Sequence, residues 1–468
     1  MSVADASLAP ADATLAAAVR WKVRCRILPL LLLMYVVAYV DRANLGFAKL
    51  QMKGALGFTE AVFGWGIGFF FVGYLLLQIP GSLFVEHRSA RKWFAYILVT
   101  WGLCSMATAL VSTPSEFYLV RLLLGLAEAG FYPGVIVYFT HWFPRKERAV
   151  AMAGMLLAVP GSLGLGAGLS AALLELDWFG LAGWRWLFLI EGAPAVLLGA
   201  AIPFLLPDRP RHARWLTPAE REYLTRTLEA EQREAVGDVP ASYGDVFRRG
   251  AVWHLAAVIF VTNLGSIGLI FWLPTLVKGL LAHTGQATDD TRVLLWTMPV
   301  FLCGMAAVVL SGWSSDRTGD RKWHCFAGQL GAGLFIALSA IPDQQWAIVF
   351  VWLCVAGFWA YFWMTPYWVL PTTVMTSSVS AVAIGTINIC ANVAGLVGQA
   401  AFGEMRDAGL TNGWSLLVIA GCYAGGGVVV AFLRLPKSEQ RAGPAGIEDQ
   451  PRETWGDGRA RKSNSENR

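Results

Sequence analysis

The chain has 468 residues, of which 56% are hydrophobic and 15% charged, with a formal net charge of +5 and a mean hydropathy of +0.51. A soluble globular chain carries about 25% charged residues, so the composition excludes an ordinary soluble enzyme. The basic excess sits in gaps between long apolar runs and forms no compact basic domain, which argues against a nucleic-acid partner.

The first twenty residues are Ala-rich and contain no short apolar core ending in a cleavage site, so the first apolar run reads as a permanent helix. A run of about 20 apolar residues spans the hydrocarbon core as a helix. Such runs fall near residues 26–47, 62–85, 93–112, 117–139, 149–174 and 185–206. An Arg- and Glu-rich stretch follows, from Pro207 to about Gly250. Six more runs lie near 251–277, 294–314, 323–341, 346–370, 379–402 and 414–433. The expected fold is all-α: a polytopic membrane protein with twelve transmembrane helices in two six-helix halves. The divisions are an N-terminal cytoplasmic segment (1–25), a first bundle (26–206), a cytoplasmic linker (207–250), a second bundle (251–435) and a polar tail (436–468) expected to be disordered.

Lys and Arg are concentrated on one side of this pattern. Arg20, Lys22, Arg24 and Arg26 precede the first span. Arg88, Arg91 and Lys92 fill the second gap, Arg145, Lys146 and Arg148 the fourth, and Arg317, Arg321 and Lys322 the eighth. The alternate gaps are poorer, so both termini are expected on the cytoplasmic side of the cell membrane.

The two halves repeat. Ser82, Glu86, Arg91 and Lys92, between spans 2 and 3, align at one constant offset with Gly312, Asp316, Arg321 and Lys322, between spans 8 and 9. Internal repeats of this kind belong to two-fold transporter architectures. The acids and bases of the two copies, with Arg317, are candidates for a gate whose ion pairs break and re-form as the halves rock. A topogenic charge cluster is the other reading.

An ionisable group near the bilayer centre costs roughly 2.5–3.5 kcal/mol on insertion scales, so intramembrane charges are functional candidates. The first half carries Asp41, Arg42, Arg121 and Glu128, and the second almost none. At 1.5 Å per residue, Arg42 lies roughly 24 Å along span 1, Arg121 about 6 Å into span 4 and Glu128 about 16 Å. The two Arg residues are expected to share the outer part of a cavity, with Glu128 below them. A guanidinium fork matches a carboxylate and stays charged at any pH. A carboxylate at depth pays for its ionised form, which suits taking up and releasing a proton. Tyr35, Tyr39 and Arg42 share one helix face, whereas Asp41 is rotated by about 100° from Arg42. Asp41 therefore cannot do the same job in the same place; latching of an outer gate is one reading of it. Ion pairs that only hold spans 1 and 4 together are the competing reading of these charges.

Further candidates are softer. Tyr74, among the Gly residues of span 2, either reaches the cavity or packs helices. Asn388, Asn392 and Gln399 form a polar stripe on span 11; Asn392 contacts either substrate or another helix. Trp272, Asn263 and Ser266 on span 7, and the aromatic residues of span 10, either wall the cavity or pack and anchor the helices. The Gly-rich string from Pro160 to Gly168 has no preceding strand and no Lys-Ser/Thr ending, so helix packing explains it better than a nucleotide loop. The seven cysteines and six histidines are scattered. No metal, cofactor or disulfide is expected, and no nucleophile–base constellation suggests an enzyme.

The loop Asp316-Arg317-x-Gly319 followed by Arg321-Lys322 resembles the signature of the major facilitator superfamily. More specific strings are Tyr39-Val-Asp41-Arg42-Ala-Asn44-Leu-Gly46, Arg121-Leu-Leu-Leu-Gly125-Leu-Ala-Glu128-Ala-Gly130 and Gly183-Trp-Arg185-Trp186-Leu-Phe-Leu-Ile-Glu191-Gly192. Over roughly residues 20–436 the chain is similar to the anion:cation symporter family, and most to bacterial permeases for phthalate, tartrate, hydroxyphenylacetate and sugar acids. The first copy of the loop departs from the pattern, with Ser82 and Ser89 in place of Gly and His87 in place of Arg. The resemblance implies uptake of an organic anion driven by protons, with Asp41 and Glu128 in proton coupling and Arg42 and Arg121 in anion recognition. Tyr39, Tyr74, Asn388, Asn392 and Trp272 complete the expected substrate site. The expected partners are a small organic anion, protons and the lipid bilayer, and the chain is expected to act as a monomer. An exporter or exchanger, or a sensor derived from a transporter, are the alternatives; the carboxylate itself is not legible in the sequence.

Overall fold

The computed structural model describes residues 10–236, 247–374 and 377–434. The described residues form helices and connecting turns. The first half comprises α1 (Pro10–Leu56), α2 (Glu60–His87), α3 (Ala90–Ala107), α4 (Pro114–Glu128), α5 (Phe131–Trp142), α6 (Arg145–Leu173) and α7 (Gly183–Leu205). The linker holds α8 (Pro218–Val236). The second half comprises α9 (Gly250–His283), α10 (Asp290–Thr318), α11 (Lys322–Ser339), α12 (Trp346–Phe362), α13 (Met364–Val374), α14 (Ser377–Asp407) and α15 (Asn412–Ala431). The tail from residue 435 lies outside the described residues.

Among the described residues, eleven segments are long and apolar enough to cross a membrane, counting α4 with α5 and α12 with α13 as one each. The ninth apolar run corresponds to α11, which is 18 residues long and starts on Lys322. It packs against α12 and α15 inside the same bundle, and its polar Gln329 donates from Nε2 to Thr262 of α9 at 2.9 Å. Helix α1 starts well before the first apolar run, and Lys22 on that extension reaches Glu220 of α8 at 2.7 Å, tying the linker to the first half.

The fourth segment of each half is interrupted, which the apolar pattern alone does not reveal. Between α4 and α5 the chain turns at Gly130, with φ +81°. Glycine takes this left-handed conformation at little steric cost, and Pro133 cannot donate a hydrogen bond back to Ala129. Between α12 and α13 the ladder breaks at Trp363, where Pro366 likewise has no N–H for Phe362. Glu128 is thus the last residue of a half-helix.

The halves meet along α2 with α14, α6 with α10, and α1 with α9. Close approach depends on glycine: a Cβ on Gly46 would lie 2.8 Å from the Phe271 carbonyl oxygen. Within the first half, a Cβ on Gly125 would collide with the carbonyl oxygen of Phe70. That contact presses α4 onto α2 and sets the Arg121–Glu128 face against Phe70 and Tyr74.

Candidate functional site

A cavity of about 180 Å³ lies between the halves. On α1, Tyr35, Ala38, Tyr39 and Arg42 line it, as their helical spacing requires. The second half contributes Asn263, Ser266, Tyr361, Trp368, Asn388 and Asn392. Among the described residues, Arg42 and Glu128 are the only charged groups in its wall.

These two form an ion pair. Arg42 donates from Nε to Glu128 Oε1 at 2.6 Å, and Nη2 lies 2.6 Å from the same oxygen. The Arg42 side chain is 23% exposed and that of Glu128 0%, so the guanidinium opens toward the cavity while the carboxylate lies behind it. The Arg42 Cζ sits 5.4 Å from the Tyr39 ring centroid, 5.7 Å from Phe70 and 5.2 Å from Tyr74. Helix rise alone puts Arg42 further out than Glu128, but the long Arg side chain brings the two to one level.

Arg121 is not in the cavity wall. It is fully buried, its Cζ lies 5.2 Å from the Phe70 ring centroid, and its Nε and Nη1 have no hydrogen-bond partner among the described residues. The Gly125 contact seats Phe70 against α4, so that ring shares its neighbourhood with both guanidinium groups. Asp41 also faces away from the cavity, toward α3. It accepts from Trp101 Nε1 at 3.0 Å, from Ser105 Oγ and from Asn44 Nδ2 at 3.0 Å.

Asn388 and Asn392 line the cavity and bond each other at 3.1 Å. Both also bond Gln78 of α2: Gln78 Nε2 donates to Asn388 Oδ1 at 2.7 Å, and Asn392 Nδ2 to Gln78 Oε1 at 3.2 Å. Gln78 is a cross-half contact that the sequence reading missed. Its signal was a lone amide in an apolar run, a group that must find a partner in lipid.

Trp272 lies outside the cavity. The close crossing at Gly46 turns Phe271 toward the cavity and Trp272 about 100° away from it. Its Nε1 donates to Gln399 at 2.7 Å, and Lys49 of α1 sits 3.5 Å above its ring. This contact belongs to a closed end between the halves. Asp407 of α14 accepts from the backbone N–H groups of Glu60, at 2.9 Å, and Ala61, at 2.8 Å. It therefore caps the N-terminus of α2 from the opposite half, where a helix favours negative charge. Trp65 donates to Glu404 at 2.9 Å, and Lys49 pairs with Glu60.

A cap of this kind is worth about 1 kcal/mol. Asp407→Ala should therefore loosen this end, with a severalfold rise in the fraction of molecules open there. Spin labels near the α1–α2 and α14–α15 turns would report it as a longer distance population. An unchanged distance distribution would leave Asp407 no part in closure.

The repeated charged loops lie at the other end. Arg91 caps onto Asp208, its backbone N–H donating at 2.9 Å and its side chain passing at 3.9 Å. The Lys92 N–H is capped by Ser89 at 3.2 Å. Arg321 pairs with Asp316 and donates to Ser315 at 2.5 Å. Arg317 and Lys322 lie over Trp313 and Trp323, at 5.5 Å and 5.0 Å. These contacts stay within one half or join it to the linker. The Glu86 side chain lies outside the described residues.

The sequence profile of the Major Facilitator Superfamily matches residues 31–399. A protein of Agrobacterium vitis named as a tartrate transporter is 37% identical over 88% of this chain and 94% of its own. The inner membrane transport protein RhmT of Escherichia coli is 34% identical over 89% and 95%, and a quinolone resistance transporter of Acinetobacter baumannii 35% over 82% and 87%. Among solved structures, a D-xylose–proton symporter superposes with a TM-score of 0.70 at 15% identity, over 88% of this chain and 98% of that one. An inward-facing bacterial homologue of the human lysosomal transporter Spinster gives 0.66 at 16%, over 88% and 95%. These two share the fold.

Proposed function

The chain belongs to the Major Facilitator Superfamily, and we propose that this transporter carries a small organic carboxylate into the cell together with protons. The observation that carries the reading is the charge of the cavity. Among the described residues Arg42 is its one cation, and that cation is already held by Glu128.

With Glu128 ionised, the pair is neutral and the guanidinium is engaged. A proton on Glu128 releases the guanidinium, which then pairs with the substrate carboxylate. Loss of that proton on the other side of the membrane returns Arg42 to Glu128 and expels the anion. Asp41 is the second coupling acid, separated from the cavity by its bonds to α3. Arg121, behind Phe70, adds a positive field to both acids without touching the substrate. Asn388 and Asn392 offer amides to the remainder of a hydroxylated or aromatic acid, beside Tyr39 and Tyr74. The relative named for tartrate supports a carboxylate cargo.

The Lys/Arg bias puts both termini in the cytoplasm of a bacterial inner membrane. On that orientation the end closed by Asp407 and Lys49 faces outward. The charged loops of Glu86, Arg91, Lys92, Asp316, Arg317, Arg321 and Lys322 then form the cytoplasmic gate. A single copy is expected to suffice, because the described residues of both halves of one chain line the cavity together.

Proteoliposomes of purified protein test the reading. Labelled tartrate and an aromatic monocarboxylate are offered with and without an imposed proton gradient, acid outside. Accumulation that requires the gradient is expected for at least one of them. Uptake that ignores the proton gradient would end the coupling claim. The relative named for quinolone resistance supports a second reading, export. Reversing the gradient separates the two, since an exchanger of protons for substrate accumulates its cargo only under the opposite gradient.

A further inference from the structure

Glu191 on α7 lies outside the cavity and has no role in the cycle described above. It is 3% exposed. Ser170 of α6 donates to its Oε1 at 2.7 Å, while Oε2 is buried without a partner. No Lys or Arg lies within ion-pair distance among the described residues. Arg185, on the same helix, is turned away and bonds the Ala109 carbonyl. The other groups facing this region are Asp41 on α1, with Asn44 bonded to it, Cys104 on α3, and, on the α4 side of Asp41, Arg121 and Glu128.

The register of three helices puts Asn44 beside it. Gln51 of α1 bridges the neighbours: its Nε2 donates to Leu174 O of α6 at 2.8 Å, and Trp184 N of α7 donates to its Oε1 at 3.1 Å. Asn44 is seven residues before Gln51, and Glu191 seven after Trp184 on a helix running the other way. Seven residues are about two turns, so both return to the same face at the same level. Ser170, one turn before Leu174, joins them, and Gly166 lies against Val40 and Phe47 on either side of Asn44.

Asn44 Oδ1 is also buried without a donor, although its Nδ2 is bound to Asp41. Two orphaned oxygens therefore fall at the same level on neighbouring helices. An ionised Glu191 would leave acceptor against acceptor, a costly arrangement in a buried site. A protonated Glu191 carries one hydroxyl donor, which fits Asn44 Oδ1 and completes the network.

We infer that Glu191 is kept as a neutral carboxylic acid that donates to Asn44 Oδ1, so that Ser170, Glu191, Asn44 and Asp41 form one hydrogen-bonded chain setting the proton affinity of Asp41. Glu191 is a positioning residue: it fixes the Asn44 amide with Nδ2 toward the Asp41 carboxylate. The inference rests on the proposed role of Asp41 as a coupling acid.

Two measurements test it. Infrared spectra of the reconstituted wild-type protein minus those of Glu191→Gln, taken at each pH in the range of uptake, should contain a buried carboxylic acid band that belongs to Glu191. The second measurement is the pH profile of uptake. Asn44→Leu and Glu191→Leu should each move its midpoint to higher pH by about one unit, because the Asp41 carboxylate loses an oriented donor. Glu191→Gln should restore the wild-type midpoint, since its amide N–H replaces the acid hydroxyl. Absence of the band, or a Glu191→Gln midpoint moved to lower pH as removal of a negative charge beside Asp41 demands, would overturn the inference. An intact band with midpoints indifferent to both Leu variants would instead overturn the coupling role of Asp41 and its link to Glu191.

Discussion

Glu128→Gln should abolish gradient-driven accumulation while leaving counterflow exchange of substrate for substrate in place. The glutamine amide keeps the size of the protonated acid and cannot titrate. In exchange the carrier returns loaded, so no proton needs to leave. The competing account makes the Arg42–Glu128 pair a strut between α1 and α4. Removing one partner of a fully buried pair costs about 3–5 kcal/mol and strands a charge, and binding would fail with the fold. The geometry argues for the first outcome. Glu128 is fully buried, but Arg42 is 23% exposed to the cavity, so the guanidinium is not sealed off when its partner turns neutral. A glutamine oxygen can also still accept from it. The stability loss should therefore be about 1 kcal/mol, small beside the loss of accumulation. Uptake under a proton gradient, counterflow and thermal unfolding on one purified variant decide the matter. Proton-driven accumulation by Glu128→Gln would transfer the coupling role to Asp41 alone.

The apolar runs, the two-fold repeat and the four intramembrane charges of the first half are legible in the sequence because lipid makes each of them expensive to misplace. The phase of a single helix is legible too. The spacing of Tyr35, Tyr39 and Arg42 puts them on one face, and the structure has all three in the cavity wall. What the spacing does not carry is the relation between helices. Trp272 is one residue from a wall residue, Phe271, yet the Gly46 crossing turns it to Lys49 and Gln399. Arg121 shares a face with Glu128, but the close approach of Gly125 to Phe70 puts an aromatic ring where an open path to the substrate was expected. The breaks at Gly130 and Trp363 were written in Gly130, Pro133 and Pro366, in the corresponding segment of each half. Interrupted segments in matching positions are a known pointer to a transporter's binding site.

Arg42→Lys should lower substrate affinity by about tenfold to a hundredfold while the protein folds and reaches the membrane normally. The charge survives, so simple charge neutralisation cannot account for such a loss. The missing feature is the planar fork. Arg42 reaches Glu128 through Nε and Nη2 together, both within 2.6 Å of one oxygen, and this leaves Nη1 and the exposed edge for a second carboxylate. A lysine ammonium offers one point of attachment, and its stronger hydration resists the low-water setting of Tyr39, Phe70 and Tyr74. Losing one charge-assisted hydrogen bond costs roughly 1.5–3 kcal/mol, which sets the expected range. Arg121→Lys is the control. Its guanidinium lies behind the wall, so its main effect should fall on thermal stability, with affinity changed severalfold at most. Equilibrium binding and unfolding temperature measured on both variants separate recognition from support. Equal affinity losses would mean that Arg121 reaches the substrate in another conformation of the cycle, and the cavity would then offer a second cation for the second carboxylate of a dicarboxylate.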